Sequence, residues 1–555
     1  MPPHPLSSTS TEMLSFPIDA KAVLSHMRQD MRDDWFPDAI EYKDLFANIN
    51  DILGIIEKIL LEGNGRYEGI QRTLCDIPKK GLGIRYSLET DFFDRFIYQS
   101  ICTYLIPYFD PLLSPRVLSH RYNRKRKKEK YLVKPRIEQW RTFEGITYTA
   151  ITGNQTLLAT DLINCFENIT VDIIRKNFES LIPYISASGL EKLRIRNAIN
   201  TLCELLCSWG YSDKHGLPQN RDPSSFIANI VLNTIDHRMV ELGYDYYRYV
   251  DDIRIICPDK VNARRALNDL IGELRTVGMN INSSKTRILT SKNSQDELSE
   301  FFPSTDDRSI AIDNMWRSRS RRVISRSAKY LAEILKECVA RQETQSRQFR
   351  FAVNRLVKLV DSNIFDVQST LASELLTLMI DSLEEHPAST DYYCRLINSL
   401  SPSDEYLSEI SRFLCNDETA IHPWQNYHLW LTLARHNYKN EELISSSEHR
   451  LKTKPQSTEA SAIFICLACV DECKRLIPVV PLFDASWPYQ NQRFFLLSTL
   501  NLERQSLAPI IDKLGIKLRH TGNRATPHLN AERRPIADRE TPSLLDLYDE
   551  ISAYD

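Results

Sequence analysis

The pattern of apolar and polar positions divides the chain into regions of different texture. Between about residues 31 and 300, helical spacing alternates with short runs rich in β-branched and aromatic residues. After about residue 303, apolar residues recur at three- and four-residue steps in segments such as 328–340, 349–360 and 370–383, which predicts α-helices. The sequence therefore predicts an α+β region followed by an all-α, helical-repeat-like region.

Punctuation by proline supports a helical array in the second half. Pro402, Pro423 and Pro455 separate successive apolar segments, as expected for helices joined by short turns. No repeat period is visible, so the repeat is expected to be irregular. Residues 518–542 are polar and predicted to be a loop, with one more short helix at 543–553. The predicted divisions are 1–30 (a lead-in ending in a helix), 31–300, 301–520 and 521–555 (a polar tail).

Bulk composition excludes several protein classes. Hydrophobic content of 42% and charged content of 26% are typical of a globular protein of two or three domains rather than of a disordered or fibrous chain. No apolar run reaches the roughly 18–20 residues that span a bilayer. The Pro/Ser/Thr-rich start lacks the apolar core of a signal peptide, so a cytoplasmic location without membrane contact is expected.

The cysteines do not form a convincing metal motif. Cys466, Cys469 and Cys473 contain one CxxC pair, which can present two thiolates to zinc. They follow helical spacing in an apolar stretch without a second CxxC or a His pair, so buried helical cysteines are predicted.

Positive charge is concentrated locally, although the net charge is only −3. Residues 121–141 contain ten Lys/Arg and two Asp/Glu. A second cluster runs from Arg317 to Lys329. Such runs are either solvated surface or nucleic-acid contacts. The predicted nucleic-acid-binding residues are Arg124, Lys125, Arg126, Lys127 and Lys128.

Three carboxylates form the candidate chemical centre. Aromatic and β-branched residues flank Asp251 and Asp252, which predicts two strands joined by a tight acidic turn. A short apolar run leads into Asp161, which would end a buried strand. If that strand lies beside the hairpin, the three side chains can hold two Mg²⁺ ions, which suit hard oxygen ligands and two-metal phosphoryl transfer. Mn²⁺ is an expected substitute.

Five motifs in order resemble those of reverse transcriptases. They are Ile77-Pro-Lys-Lys-Gly-Leu-Gly-Ile-Arg85 with Asp94-Arg95, Asp161 with Phe166, Gly216-Leu-Pro-Gln219 with Ser224 to Asn229, Tyr249-Val-Asp-Asp252, and Val277 to Thr286. They cover about residues 70–290. The resemblance implies a fingers and palm fold for 31–300, with Asp161, Asp251 and Asp252 as catalytic metal ligands.

The resemblance also assigns roles around the incoming nucleotide. Lys79, Lys80 and Arg85 would bind the triphosphate, because basic side chains neutralise phosphate oxygens. Lys285 would donate a proton to departing pyrophosphate, or is simply a solvated lysine. The remaining two nucleotide-binding assignments are Phe166, a steric gate against the 2′-hydroxyl or else a core residue, and Gln219. The family usually continues Pro-Gln-Gly, whereas this chain has Asn220, which tolerates positive φ.

The helical second half resembles the bacterial abortive-infection and defence-associated (AbiK-like) reverse transcriptases. That group implies antiphage defence, DNA synthesis from dNTPs that is protein-primed and template-independent in several members, DNA product attached covalently, and homo-oligomers (trimers or hexamers). A retron- or intron-like enzyme that copies a dedicated non-coding RNA is the alternative. A second alternative is an inactive RNA-binding scaffold.

Overall fold

The computed structural model describes residues 10–11, 14–69, 72–124, 131–211, 214–302, 307–500, 502–511 and 513–524. Its architecture is α+β in the first 300 residues and helical afterwards, so the predicted fold class is confirmed. Within the described residues, no helix is both long and apolar enough to cross a bilayer.

A four-stranded antiparallel sheet lies at the centre of the first half. Its strand order is β6-β7-β5-β8. Every residue of β5 is buried, because neighbouring strands cover both of its edges and helices cover the sheet. The strands are β5 (Thr156–Asp161), β6 (Asp245–Tyr249), β7 (Asp252–Cys257) and β8 (Arg287–Leu289).

Two small sheets precede the central one. Strands β1 (Ser10–Thr11) and β2 (Ile18–Asp19) pair before the first helix. Strands β3 (Thr73–Pro78) and β4 (Ile84–Glu89) form a separate antiparallel hairpin. At its tip the Lys79 N–H donates to the Gly83 carbonyl (2.8 Å), and Gly81 has φ +78°, a conformation that glycine adopts without strain.

In the described part of the first half, ten α-helices surround these strands. Helix α9 packs against α4, α7 and α10, and most of its side chains are buried in one core with the sheet. Residues of the lead-in, including Leu14 and Phe16, belong to the same core. The helices are α1 (Ala20–Asp30), α2 (Lys43–Phe46), α3 (Ile49–Glu62), α4 (Phe92–Phe109), α5 (Arg136–Thr152), α6 (Cys165–Asn168), α7 (Val171–Leu181), α8 (Gly189–Trp209), α9 (Asp222–Glu241) and α10 (Lys260–Arg275).

The second half is a helical array around its own core. These helices are α11 (Gln295–Phe301), α12 (Asp307–Arg317), α13 (Arg321–Ala340), α14 (Arg347–Asp361), α15 (Thr370–Asp381), α16 (Thr390–Leu400), α17 (Asp404–Cys415), α18 (Pro423–Arg435), α19 (Glu441–Thr453), α20 (Thr458–Cys469), α21 (Tyr489–Thr499), α22 (Arg504–Ile511) and α23 (Ile516–Arg524). Helices α14, α16, α18, α20 and α21 pack in succession, while α15, α17 and α19 form a second layer. This two-layer stack agrees with the predicted irregular helical repeat.

Two of the three predicted helices start earlier than apolar periodicity suggested, α13 at Arg321 and α14 at Arg347, whereas α15 starts at Thr370 as predicted. Two N-terminal ends are fixed by serine caps: Ser346 Oγ accepts the Phe349 N–H, and Ser369 Oγ accepts the Ala372 N–H. One prediction was wrong: the polar segment from residue 518 is not a loop at its start, because α23 continues to Arg524. Leu518 and Thr521 are buried there. The predicted helix at 543–553 lies outside the described residues.

A segment of the first half is bonded into the helical array. The Arg493 guanidinium on α21 is fully buried and pairs with Asp38 (2.6 Å) and Asp44 (2.7 Å). Trp424 Nε1 donates to the Trp35 carbonyl (2.8 Å). Residues 35–44 therefore contact the helical array, and the boundary at 300 stays a prediction.

Candidate active site

The ladder between β5 and β7 brings the predicted carboxylates together. Asp161, the last residue of β5, is paired in register with Asp252, the first residue of β7. Asp251 lies in the two-residue turn between β6 and β7, and its backbone carbonyl accepts the Leu162 N–H (3.2 Å). The end of β5 and the acidic turn, both expected from the sequence, therefore meet at the same end of the two central strands.

The acidic turn is strained at Val250 and is held in place by buried polar groups. Val250 has φ +56°, which is unusual for a β-branched residue and costs roughly 1–3 kcal/mol. Its N–H donates to Ser119 Oγ (2.8 Å), and its carbonyl accepts from Arg248 Nη1 (2.8 Å). Arg248 itself forms a fully buried ion pair with Asp236 (2.6 Å). These contacts fix the backbone that presents Asp251.

The electrostatics of the carboxylate cluster favour a cation. Burial, followed by the charges of Asp252 and Asp161, raises the pKa of Asp251 to about 7. Burial and the charge of Asp161 also raise the pKa of Asp252. Carboxylates that repel one another in this way are neutralised either by protons or by cations.

Lys285 supplies one such cation. Its ammonium donates to Asp161 Oδ2 (2.7 Å), and the backbone N–H of Asn282 donates to the Asp161 carbonyl (2.6 Å). Burial acts to lower the pKa of Lys285, but the hydrogen bond and charge of Asp161 outweigh it, and the net shift is upward. The structure thus brings Lys285, expected near the departing pyrophosphate, directly to the carboxylates.

A cavity of about 910 Å³ opens over these groups, between the central sheet, the β3–β4 hairpin and helices α14 and α16. The predicted site residues that line this catalytic cavity are Asp161, Asp252, Lys79, Lys80, Arg85 and Lys285. The Arg85 guanidinium lies 5.0 Å from the centroid of the Trp35 ring. Burial lowers the pKa of Arg85, and the charge of Asp251 opposes that shift. Cations from the hairpin therefore face carboxylates from the sheet across one space.

Two predicted nucleotide-binding residues lie beside the cavity instead of in its wall. Phe166 on α6 is half-buried and packs against the core of the first half. Gln219 is buried, and its amide donates to the Tyr86 carbonyl (3.2 Å) and to Glu167 Oε1 (3.1 Å). The following Asn220 has φ +55°, as expected where the family has glycine. Their roles toward a nucleotide stay predictions.

Of the five predicted nucleic-acid-binding residues, Arg124 is the one that the structure describes. Arg124 is exposed, and its guanidinium lies 3.7 Å from Asp110. Lys125, Arg126, Lys127 and Lys128 lie outside the described residues. The proposed nucleic-acid contact of this cluster stays a prediction.

The structure adds cavity residues that sequence reasoning missed. Arg254 on β7 is buried, and its guanidinium lies 4.5–5.3 Å from the ring centroids of four aromatic residues, Trp140, Phe143, Phe301 and Phe302. Arg347, Arg350 and Tyr392 reach the cavity from the helical array. Only the position of Arg254, two residues after Asp252, offered a signal. The other three lie in helices whose periodicity reveals a core face but not a partner.

The carboxylates fit divalent ions by donor chemistry, since they are crowded, oxygen-bearing and mutually repelling. Lys285 contacts Asp161 in this structure, and within the described ranges no three His, Cys, Asp or Glu side chains are arranged as a metal-ligand group. Asp161, Asp251 and Asp252 are the side chains that would hold such ions. An antiparallel sheet carrying these carboxylates below a basic hairpin defines a nucleotidyl-transferring polymerase palm.

Comparison with known families agrees with this class. Residues 98–351, less than half of the chain, match the model of the family described as reverse transcriptase (RNA-dependent DNA polymerase). The matched segment resembles a reverse transcriptase domain, a class of domain that catalyses RNA-directed nucleotidyl transfer. Such domains generally use divalent metal ions, nucleotide substrates and a nucleic-acid template or product.

Solved telomerase structures are distantly similar to the chain. Apo telomerase from Candida tropicalis, truncated from its C-terminal domain, shares 13% identity over 45% of this chain and 56% of its own, with a TM-score of 0.28. Telomerase from Candida albicans with a TWJ fragment of telomeric RNA shares 13% sequence identity, and the match covers 67% of this chain and 63% of the telomerase chain, with a TM-score of 0.30. Another apo telomerase from Candida tropicalis shares 12% over 77% and 71%, with a TM-score of 0.30. The chain thus spans less than two thirds of the first two telomerase chains.

Proposed function

We propose that the protein is a DNA polymerase that adds dNTPs to a hydroxyl group at the carboxylate cluster. The observation that carries the proposal is the register pairing of Asp161 with Asp252, beside Asp251, in a cavity whose opposite wall carries Lys79 and Lys80. Two Mg²⁺ ions bound there would activate the attacking hydroxyl and stabilise the leaving oxygen. The protein itself positions the groups and balances their charge.

The cations of the cavity have separate tasks in this proposal. Lys79, Lys80 and Arg85 bind the triphosphate, because the β3–β4 hairpin holds them together across from the carboxylates. Lys285 exchanges its contact with Asp161 for the departing pyrophosphate and gives it a proton. Phe166 excludes the 2′-hydroxyl, which makes dNTPs the substrates.

We further propose that the enzyme belongs to the AbiK-like defence group, in the bacterial cytoplasm, as a homo-oligomer. Support comes from the helical array, whose helices α14 and α16 form part of the cavity wall. In this arrangement a hydroxyl of the protein can replace a primer. Among the described residues that line the catalytic cavity, Tyr392 is the tyrosine. We propose its hydroxyl as the first acceptor, in place of a template-bound primer.

One experiment tests these proposals together. Purified protein is incubated with labelled dNTPs and Mg²⁺, half of each sample is digested with protease, and the DNA is sequenced. Protein-primed synthesis predicts DNA that stays attached to protein before digestion and whose sequence follows no template. Tyr392→Phe should remove that attachment, whereas Tyr406→Phe, on the outer helix α17, should keep it. Attachment that persists in Tyr392→Phe contradicts the assignment of Tyr392.

Other outcomes of the same experiment favour the alternatives. A retron- or intron-like enzyme would be inert until a dedicated RNA is added and would then copy its sequence. An inactive scaffold would incorporate no nucleotide under any condition. The scaffold is disfavoured because Asp161, Asp252 and the cations proposed to bind the triphosphate all line one cavity.

A further inference from the structure

A second chamber of about 530 Å³ adjoins the catalytic cavity. It lies between helix α5 of the first half and helices α12 and α14 of the helical array. The two spaces share wall residues, among them Arg136, Trp140, Arg347, Arg350 and Tyr392. The two spaces therefore adjoin along these shared side chains.

Arginines give this chamber an excess of positive charge. Two of them, Arg141 and Arg355, share Asp313 (2.8 and 2.6 Å). Three other arginines of the wall have no ion-pair partner within the part of the chain that the structure describes. They are Arg317, Arg347 and Arg350. Guanidinium groups gathered in this way match the phosphate oxygens of a polyanion.

Arg317 comes from the second basic cluster of the sequence, which the catalytic site does not use. Helix α12 ends at Arg317, and its side chain lines the chamber but not the catalytic cavity. Arg322, in the next helix of the same cluster, is also exposed but lines neither space. Arg317 can therefore contact a ligand in the chamber, and Arg322 provides a matched control outside it.

Aromatic side chains alternate with these arginines. Trp140, Tyr249, Phe351 and Tyr392 line the chamber, and the Arg347 guanidinium lies 3.2 Å from the centroid of the Trp140 ring. Rings that stack bases and guanidinium groups that hold phosphates are the combination that binds single-stranded nucleic acid without sequence preference. A free anion would use the arginines but not the rings.

The position of the chamber indicates which part of the nucleic acid would bind in it. Attacking and leaving oxygens lie roughly in line during phosphoryl transfer. Lys79, Lys80 and Arg85, which would hold the leaving pyrophosphate, line only the catalytic cavity. Tyr249, two residues before Asp251, lines only the chamber. The acceptor end of the strand therefore belongs on the side of the chamber.

We propose that this chamber binds the growing DNA as a single strand, with Arg317, Arg347 and Arg350 on its phosphates and the rings of Tyr249 and Phe351 on its bases. The proposal rests on the proposed function, because it assumes that DNA is extended at the carboxylates. It makes the helical array a binding surface for product as well as a wall of the active site.

The test is binding of a fluorescein-labelled decathymidylate to the full-length protein, measured by anisotropy without dNTPs or divalent ions at several salt concentrations. Arg317→Gln should weaken binding about five- to tenfold at 0.1 M salt and reduce the slope of log affinity against log salt by about 0.7. Arg322→Gln should behave like the parent protein. Equal affinities and slopes for all three proteins would overturn the proposal.

Two further measurements distinguish a failure of the chamber proposal from a failure of the proposed polymerase function. The same titration with decauridylate identifies the ligand: loss of RNA binding with DNA binding unchanged in Arg317→Gln would overturn the assignment to DNA. Nucleotide incorporation is measured in parallel. If Arg317→Gln weakens DNA binding while the parent protein incorporates nothing under any condition, the chamber stands as a single-strand site and the proposed polymerase function fails.

Discussion

The buried ion pair behind the acidic turn gives a quantitative test of how the site is held. Arg248 Nε and Nη2 donate to the two carboxylate oxygens of Asp236 (2.7 and 2.6 Å), and both side chains are fully buried. Arg248→Met leaves Asp236 as an uncompensated buried charge. We expect that change to destabilise the sheet by about 3–5 kcal/mol.

Removing both charges should cost less than the sum of the two single substitutions. Asp236→Leu alone should also cost about 3–5 kcal/mol, so independent effects would total about 6–10 kcal/mol. The double variant leaves the Tyr246 hydroxyl, which donates to Asp236 Oδ1 (2.9 Å), without its acceptor. It also leaves Asn229 Oδ1 and the Val250 carbonyl without the Arg248 donor (2.9 and 2.8 Å). Each such loss amounts to about 1–3 kcal/mol. Incorporation should nevertheless stay about 10- to 100-fold low, because Arg248 no longer holds the Val250 carbonyl.

Stability is best measured by urea denaturation together with hydrogen exchange of the β6 and β7 amides, since a chain of this length need not unfold in one step. Arg238→Met is the matched control. Its guanidinium is about half exposed and lies 3.4 Å from Glu273, so its loss should cost no more than about 1 kcal/mol. A double variant that loses the sum of the two single effects would refute the reasoning.

Three further expectations concern chemistry, selectivity and pH. Lys285→Gln should lower kcat about 100-fold with less change in KM, because the proton source near Asp161 is lost; unchanged single-turnover rates would contradict this. Phe166→Ala should admit ribonucleotides in a competition assay, and unaltered sugar discrimination would count against the steric gate. Burial lowers the pKa of His428 to about 4, below its usual value, so stability should fall as pH drops from about 6.5 toward 4, by about 2 kcal/mol at pH 5. His428→Gln should flatten that dependence in thermal denaturation, whereas a substitution of the exposed His449 should not.

The catalytic strands could be predicted because their signals are local. Apolar residues before Asp161 mark a buried strand, and the flanks of Asp251 mark a hairpin. The resemblance of the motifs then predicted that this strand lies beside the hairpin, and the pairing of β5 with β7 agrees with that prediction. Neither signal could reveal that Val250 adopts positive φ, because a β-branched residue argues against that conformation and only the contacts of Arg248 and Ser119 stabilise it.

Contacts between the two halves could not be predicted from the sequence for a different reason. Arg347 lies in the first turn of a helix with a clear apolar face. The apolar periodicity predicts this helix, but it does not predict where the Arg347 guanidinium lies. Its placement over Trp140 depends on how the helical array packs on helix α5. The burial of Arg493 with Asp38 joins residues 455 positions apart. No local pattern encodes such pairs.

Incorporation of labelled dNTPs with Mg²⁺ by matched aspartate variants tests the assignment of the site most directly. Asp161→Asn and Asp251→Asn should each reduce incorporation at least about 1,000-fold with an unchanged circular dichroism spectrum. Asp245→Asn, on the same hairpin but half-buried and paired with Arg116, should remain active. Near-normal incorporation by both Asp161→Asn and Asp251→Asn would contradict the polymerase site described above.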